Sequence, residues 1–143
     1  MKSKFRIFPV IIIALACCLM TACFKTYYWK VAQSVENISK IEIFDNYGRE
    51  DQAFICEISP ADYAEIVNDI QAMPAKKYMG DPTHPYGKVI KIMFIDGTYD
   101  EISKYEPRHI TDPDEGYSNS KISWLSYKEK DYNQLIEKWI AKY

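Results

Sequence analysis

The chain has 143 residues, of which 48% are hydrophobic and 27% charged, and this suits a single globular domain better than two. Three of its basic residues, Lys2, Lys4 and Arg6, lie in the first six positions. The part after residue 22 holds 15 lysines and arginines against 20 acidic residues, a net charge of −5. This acidic balance argues against nucleic acid as a partner, and it offers no polybasic attraction to anionic lipid.

The N-terminal segment has the composition of an export signal. A positively charged start precedes an apolar run from Ile7 to Met20. Those 14 residues would span about 21 Å as a helix, less than the ~30 Å hydrocarbon core of a bilayer. The length therefore favours a cleaved signal over the alternative, a plain membrane-spanning anchor.

The residues that follow the apolar run are Leu19-Met20-Thr21-Ala22-Cys23. This stretch resembles the lipobox of bacterial type II signal peptides, although Met20 stands where leucine is usual. The resemblance implies that Cys23 receives a lipid and that residues 1–22 are removed. It also implies a domain that faces outside the cytoplasm, anchored to the cell membrane or outer membrane, with Phe24 favouring the outer one where two exist.

The pattern divides the chain into a signal peptide (1–22), a lipidated N-terminus with a short tether (23–36) and a single domain (37–143). Apolar residues from Tyr28 to Ile38 follow helical spacing, which predicts a short helix. Cys56 is the one cysteine left after lipidation, so the mature chain can form no internal disulfide. Its apolar surroundings favour a small buried side chain over a reactive nucleophile.

The first half of the domain alternates between strand and helix signals. Lys40–Asp45 and Gln52–Ile58 read as a hairpin. Ser59 and Pro60 suit a helix start, and the apolar positions of that helix run to Met73 before Pro74. The following residues, 75–79, predict a short strand.

The second half begins with a strand that is apolar on both faces, Val89–Ile95, and Asp96-Gly97 is a strong hairpin signal. Glu106–Ser120 reads as a long polar loop, and residues 121–126 as a strand. Ser126 to Glu129 has the form of a capping box before a final amphipathic helix. Together these elements predict an α+β fold, with an antiparallel sheet of about five to six strands and two main helices packed on one face.

Candidate site residues are sparse. His84 and His109 fall on predicted loops, without cysteine or glutamate at ligand spacing, so no metal or catalytic role is expected of them. Asp112, Asp114 and Glu115 form a weak calcium candidate, and a solvated acidic loop is the favoured interpretation.

The sequence is rich in tyrosine, with 12 residues, and several of these fall at strand ends or in loops. Loop aromatics can stack on sugars or anchor a protein partner, although they are also common as amphipathic surface residues. The candidate binding residues are Tyr86, Tyr105, Tyr117, His84 and His109.

No nucleophile elbow, phosphate-binding loop or metal-binding motif is present, and no cofactor is expected. Asp100 and Glu101 are neighbours on a predicted strand, so they should point to opposite faces. These observations favour a non-enzymatic module that is bound to the membrane through its lipid and binds an envelope protein or polysaccharide. The alternative is a small inhibitor or immunity-type lipoprotein that acts on a hydrolase or toxin through the loop at 80–87 or 106–120. An enzyme is the third hypothesis.

Overall fold

The computed structural model describes residues 25–47, 49–77, 87–114, 120–122 and 124–143. These residues form strands in two antiparallel sheets together with two α-helices. The strands are β1 (Tyr27–Tyr28), β2 (Ile38–Asp45), β3 (Ala53–Glu57), β4 (Pro74–Lys77), β5 (Val89–Phe94), β6 (Tyr99–Ile102), β7 (Arg108–Ile110), β8 (Ser120–Ile122) and β9 (Leu125–Tyr127). The helices are α1 (Tyr63–Ala72) and α2 (Glu129–Lys142), and short 3-10 turns cover Val35–Asn37 and Pro60–Asp62.

The larger sheet has six strands in the order β3-β2-β5-β6-β7-β8, and every neighbouring pair is antiparallel. The smaller sheet has three strands in the order β1-β4-β9 and is also antiparallel. The predicted α+β class is therefore confirmed. The separate three-stranded sheet was not anticipated, because β1, β4 and β9 are far apart in sequence and each has at most four residues.

One core joins the larger sheet to the helices and the smaller sheet. Alternate isoleucines of the central strands, among them Ile41, Ile92 and Ile102, are fully buried. Ile66 and Ile70 of α1 and Ile136 and Trp139 of α2 belong to the same buried cluster, as do Ala75, Leu125 and Tyr127 of the smaller sheet. Burial of each large apolar side chain contributes roughly 1.5–3 kcal/mol, so this cluster is the main source of stability.

The two helices begin differently. Before α1, the hydroxyl of Ser59 accepts a hydrogen bond from the Ala61 amide at 3.4 Å, as the predicted helix start requires. α2 begins at Glu129 after Lys128, and no side chain caps it. The predicted capping box is wrong because Ser126 is part of β9, where it lies opposite Lys76.

Three further expectations differ from the structure. Residues 28–38 do not form a helix, because Tyr27 and Tyr28 pair with β4 and only Val35–Asn37 makes a helical turn. The predicted strand at 121–126 is divided between the two sheets. The predicted loop at 106–120 contains β7, whose pairing with β6 and β8 satisfies its backbone groups.

The hairpin between β5 and β6 confirms the Asp96-Gly97 signal. Gly97 has a φ of 88°, a conformation that a residue with a Cβ adopts only with strain. The Asp96 carboxylate accepts hydrogen bonds from the amide and the hydroxyl of Thr98 at 3.0 and 2.7 Å. These contacts fix the turn at this end of the sheet.

Among the described residues, no helix is both long enough and apolar enough to cross a membrane.

Candidate functional site

The outer face of the larger sheet, which is the face that points away from the core, carries a row of charged residues. Glu57 of β3 lies opposite Glu42 of β2, and Glu42 lies opposite Lys91 of β5. Lys91 in turn lies opposite Glu101 of β6, which lies opposite Arg108 of β7. Residues directly opposite each other share a face, so these five side chains form one line across five strands, here called the charged row.

At the exposed end of the row, Lys40 forms ion pairs with two carboxylates. The Lys40 ammonium lies 2.6 Å from Glu42 and 3.2 Å from Glu57. The hydrogen bonds that the Lys40 ammonium donates to Glu42 and Glu57 raise the pKa of Lys40 above its usual value, and the bond to Glu42 has the larger effect. Lys40 therefore balances two neighbouring negative charges that would otherwise repel each other.

Aromatic rings extend the outer face beside the row. A register shift between Ile43 and Phe44 places Phe54 opposite Phe44, and their ring centroids lie 5.9 Å apart. Tyr47 lies 5.5 Å from Phe44. Phe54 is 57% exposed, so the shift places a large apolar ring in solvent beside charged groups.

Lys91 connects the row to the aromatic rings. Its ammonium lies 4.2 Å from the ring centre of Tyr99 and 6.0 Å from that of Tyr47. Both are within the range of a cation–π contact. The aromatic faces therefore hold this lysine on the outer face, where Glu42 and Glu101 lie opposite it in the neighbouring strands.

The other end of the charged row is buried. Glu101 is 1% exposed and Arg108 is 5% exposed, and the Arg108 guanidinium lies 3.7 Å from the carboxylate of Glu106. Burial of charge is costly unless opposite charges offset it, and Arg108 has Glu106 within ion-pair distance and Glu101 opposite it in the neighbouring strand. The row thus has a buried end at Glu101 and Arg108 and a more exposed end at Glu57 and Glu42, where Lys40 lies beside both carboxylates.

On the core side of the sheet, Asp100 and His109 form a second polar group. Asp100 lies opposite both Ile92 and His109, and its Oδ1 is 2.7 Å from His109 Nδ1. The other carboxylate oxygen accepts a hydrogen bond from the Ala32 amide at 2.8 Å. Asp100 is fully buried, and Glu101 lies on the opposite face as its neighbouring position in the strand predicts.

The electrostatics of Asp100 reflect this burial. Removal from water raises the pKa of Asp100, while the hydrogen bonds from Ala32 and His109 act in the opposite direction. When Asp100 is ionised, His109 Nδ1–H donates to it, and the imidazole is held in one orientation. These contacts join β6, β7 and the segment after β1, which is a structural role.

The sequence-predicted binding residues are not brought together where the structure describes them. His109 lies on β7 rather than on a loop, because strand pairing places it against Asp100. Tyr105 is 43% exposed and bridges Ser126 beside the smaller sheet. The remaining predicted residues, Cys23, His84, Tyr86, Glu115 and Tyr117, lie outside the described residues.

The weak calcium candidate is described only in part. Asp112 accepts a hydrogen bond from the Asp114 amide at 3.0 Å, a local turn contact, and Glu115 lies outside the described residues. Within the described ranges, no three His, Cys, Asp or Glu side chains converge closely enough to hold a metal ion.

Cys56 lies on β3 and is buried, as its apolar surroundings predict. Burial raises the pKa of the Cys56 thiol, which keeps it in the unreactive protonated form.

The charged row was missed at the level of sequence, although a signal was present. Lys91 is the one charge inside the apolar strand Val89–Phe94, and Glu42 lies between the apolar residues Ile41 and Ile43. Such residues must point to a face that is not the core, but only the register reveals that they are opposite each other.

No protein-family model matches the chain, and neither a curated protein nor a solved structure shows significant similarity to it.

Proposed function

We propose that this protein is a lipid-anchored binding module of the bacterial cell envelope, displayed outside the cytoplasm. The proposal rests on the signal-like segment 1–22, the lipobox-like residues before Cys23, and one observation from the fold. Tyr27, only four positions after Cys23, is already paired with Ala75 in the smaller sheet. A folded domain that begins directly behind the lipobox cysteine suits a protein whose N-terminus serves as its anchor.

The contacts of the polar groups support binding rather than hydrolysis. The Cys56 thiol is buried and its pKa is raised, which disfavours a thiolate nucleophile. Asp100 and Glu101 face opposite sides of the sheet, so they cannot act as an acid–base pair on one substrate. The two carboxylate oxygens of Asp100 are already hydrogen-bonded, one to the Ala32 amide and the other to the His109 imidazole.

The accessible half of the outer face is the surface best suited to a partner. It combines an exposed aromatic ring, Phe54, with the charges of Lys40, Glu42 and Glu57. Aromatic anchors surrounded by polar groups that give orientation are typical of protein–protein interfaces. We therefore favour a protein partner for this face, and a polysaccharide is the competing outcome.

The anchor is tested by labelling cells that express the full chain with radioactive or clickable palmitate. The wild-type chain and the variant Cys56→Ser should incorporate label and remain in the membrane fraction, whereas Cys23→Ser should lose both properties. Cys56→Ser is the matched control because it removes the other cysteine of the predicted mature chain. Equal labelling of Cys23→Ser and wild type would contradict the anchor.

A further inference from the structure

The smaller sheet has a face that points away from the core. In β4, Ala75 is buried whereas Pro74 and Lys76 are exposed. The register places Tyr28 opposite Pro74, and Ser126 opposite Lys76. Tyr105 extends this surface, because it forms a bridge with Ser126. These five residues are here called the docking face.

The charged residues on the three strands of this sheet are lysines, although the domain as a whole is acidic. β1, β4 and β9 contain no acidic residue, and β4 contains two lysines, Lys76 and Lys77. Lys25, Lys30 and Lys128 flank the strands and are exposed. Among the described residues, no carboxylate forms an ion pair with any of these five lysines; the nearby pair of Lys104 and Glu129 is separate from them. Lys76 lies on the docking face itself, Lys77 follows it at the end of β4, and the other three lysines lie in the segments next to β1 and β9.

Exposed aromatic rings accompany these lysines. Tyr28 is 57% exposed, and Tyr105 and Trp124 are each 43% exposed. Tyrosine and tryptophan favour the boundary between water and lipid, since each has an apolar ring and a polar group. Lysine beside such rings is the combination that suits a layer of anionic headgroups.

The length of chain before β1 fixes where this face can lie. Cys23 precedes Tyr27 by four residues, which span at most about 14 Å when fully extended. The headgroup layer of one leaflet is itself roughly 5–8 Å thick. A lipid on Cys23 would therefore hold Tyr27, at the edge of the smaller sheet, no more than about 9 Å beyond the headgroup layer.

We propose that the docking face lies on the anionic headgroup layer of the membrane that carries the lipid of Cys23. This inference rests on the proposed function, because it requires the lipid anchor. It adds an orientation: the smaller sheet and the outer face lie on opposite sides of the larger sheet, so docking turns Phe54 and Lys40 away from the membrane. The surface suited to a partner is then presented outward.

The test uses the full-length chain after processing, purified in detergent and reconstituted into vesicles of phosphatidylcholine and phosphatidylglycerol. Its lysines are acetylated with a membrane-impermeant reagent and the rate at each lysine is read by mass spectrometry. We expect acetylation of Lys76 and Lys128 to slow about fivefold in these vesicles relative to micelles. Lys40, on the outer face, should react at one rate in both. Pure phosphatidylcholine or high salt should remove the protection.

Paired variants separate docking from the anchor. Tyr28→Ser with Lys76→Glu should return Lys128 to its micelle rate in vesicles. The matched control, Phe54→Ser with Arg49→Glu, removes an equally exposed ring and an exposed cation from the β2–β3 hairpin and should leave Lys128 protected. The milder Lys76→Gln should give partial loss of protection if the charge reversal unfolds the domain.

The outcomes are distinguishable. Equal rates in vesicles and micelles, on a chain whose mass includes acyl groups, would overturn docking and leave the anchor standing. Protection that is present in micelles and grows with protein concentration would mean that a second copy of the chain covers this face, which also overturns docking. A mass without acyl groups would overturn the proposed function and, with it, this inference.

Discussion

Asp100 and His109 lie directly opposite each other on β6 and β7, and their side chains meet at 2.7 Å between Oδ1 and Nδ1. The same carboxylate accepts a hydrogen bond from the Ala32 amide at 2.8 Å. One fully buried side chain thus joins the larger sheet to the segment that leads from the proposed anchor. Its removal would leave a backbone donor and an imidazole without their acceptor.

Replacement of Asp100 by alanine should lower the free energy of unfolding by about 2–4 kcal/mol, because it breaks two hydrogen bonds to a buried charged group. Asp100→Asn should cost less, since the amide oxygen can still accept from Ala32 and the amide nitrogen can donate to His109. Urea titration of both variants measures the difference. Equal losses in the two variants would contradict the role of the hydrogen bonds and indicate that the negative charge of Asp100 dominates.

Two neighbouring tyrosines should respond oppositely to loss of the hydroxyl. The hydroxyl oxygen of Tyr132 lies 2.7 and 2.8 Å from the carbonyl oxygens of Lys88 and Ile102. In contrast, no described group forms a hydrogen bond with the buried hydroxyl of Tyr127. Tyr132→Phe should therefore destabilise the domain by about 1–2 kcal/mol, and Tyr127→Phe should be neutral or stabilising by up to ~1 kcal/mol. Thermal unfolding of the pair, whose rings stack at 6.1 Å, provides a matched comparison. A loss of stability in Tyr127→Phe as large as that in Tyr132→Phe would contradict the assignment.

Stability should fall at alkaline pH. Burial raises the pKa of Tyr127 and Tyr132 above the usual value of 10.0. Above about pH 10 the unfolded chain releases phenolic protons that the folded domain retains, so the free energy of unfolding decreases by about 1.4 kcal/mol per pH unit for each such group. Tyr127→Phe should reduce this slope because it removes one of the two buried phenols. An unchanged slope in Tyr127→Phe, measured by urea titration at pH 9 to 11, would refute the prediction.

The outer face should determine partner binding. Phe54→Ser with Lys40→Glu removes the exposed ring and reverses a charge that bridges Glu42 and Glu57, so a cross-linked partner should decrease at least about tenfold. Cross-linking in intact cells followed by detergent extraction and mass spectrometry measures this. The control, Lys138→Glu, changes an exposed lysine on α2 that pairs with Glu65 and Asp69. Undiminished capture by the outer-face variant would exclude this surface, and capture of polysaccharide alone would replace the protein partner.

Local patterns predicted the parts of the fold that depend on neighbouring residues. The hairpin at Asp96-Gly97, the helix start at Ser59 and the apolar stripe of α2 each follow from signals within a few positions. Predictions failed where a segment pairs with a strand that is distant in sequence. Tyr28 pairs with β4 instead of forming part of a helix, and Ser126 pairs with β4 instead of capping α2. Short strands gain their stability from such partners rather than from their own composition.

The candidate surfaces were harder to predict for the same reason. The register of three strands places Glu42, Lys91 and Glu101 in one row. Lys76 and Tyr105 share a face only because both lie opposite Ser126 of β9. The charge counted along the chain therefore did not indicate that the strands of the smaller sheet hold two lysines and no acidic residue. The opposite orientation of Asp100 and Glu101, in contrast, follows from the two-residue period of a single strand and was predicted correctly.

The most direct test of the anchored state is the N-terminus of the mature protein. The chain should be extracted from the membrane fraction of cells that express it and examined by intact-mass and N-terminal peptide analysis. We predict a chain that begins at Cys23 and whose first peptide carries the mass of a diacylglycerol, with or without a further acyl group on its amine. A chain that retains residues 1–22, or one that begins at another residue without lipid, would contradict the account.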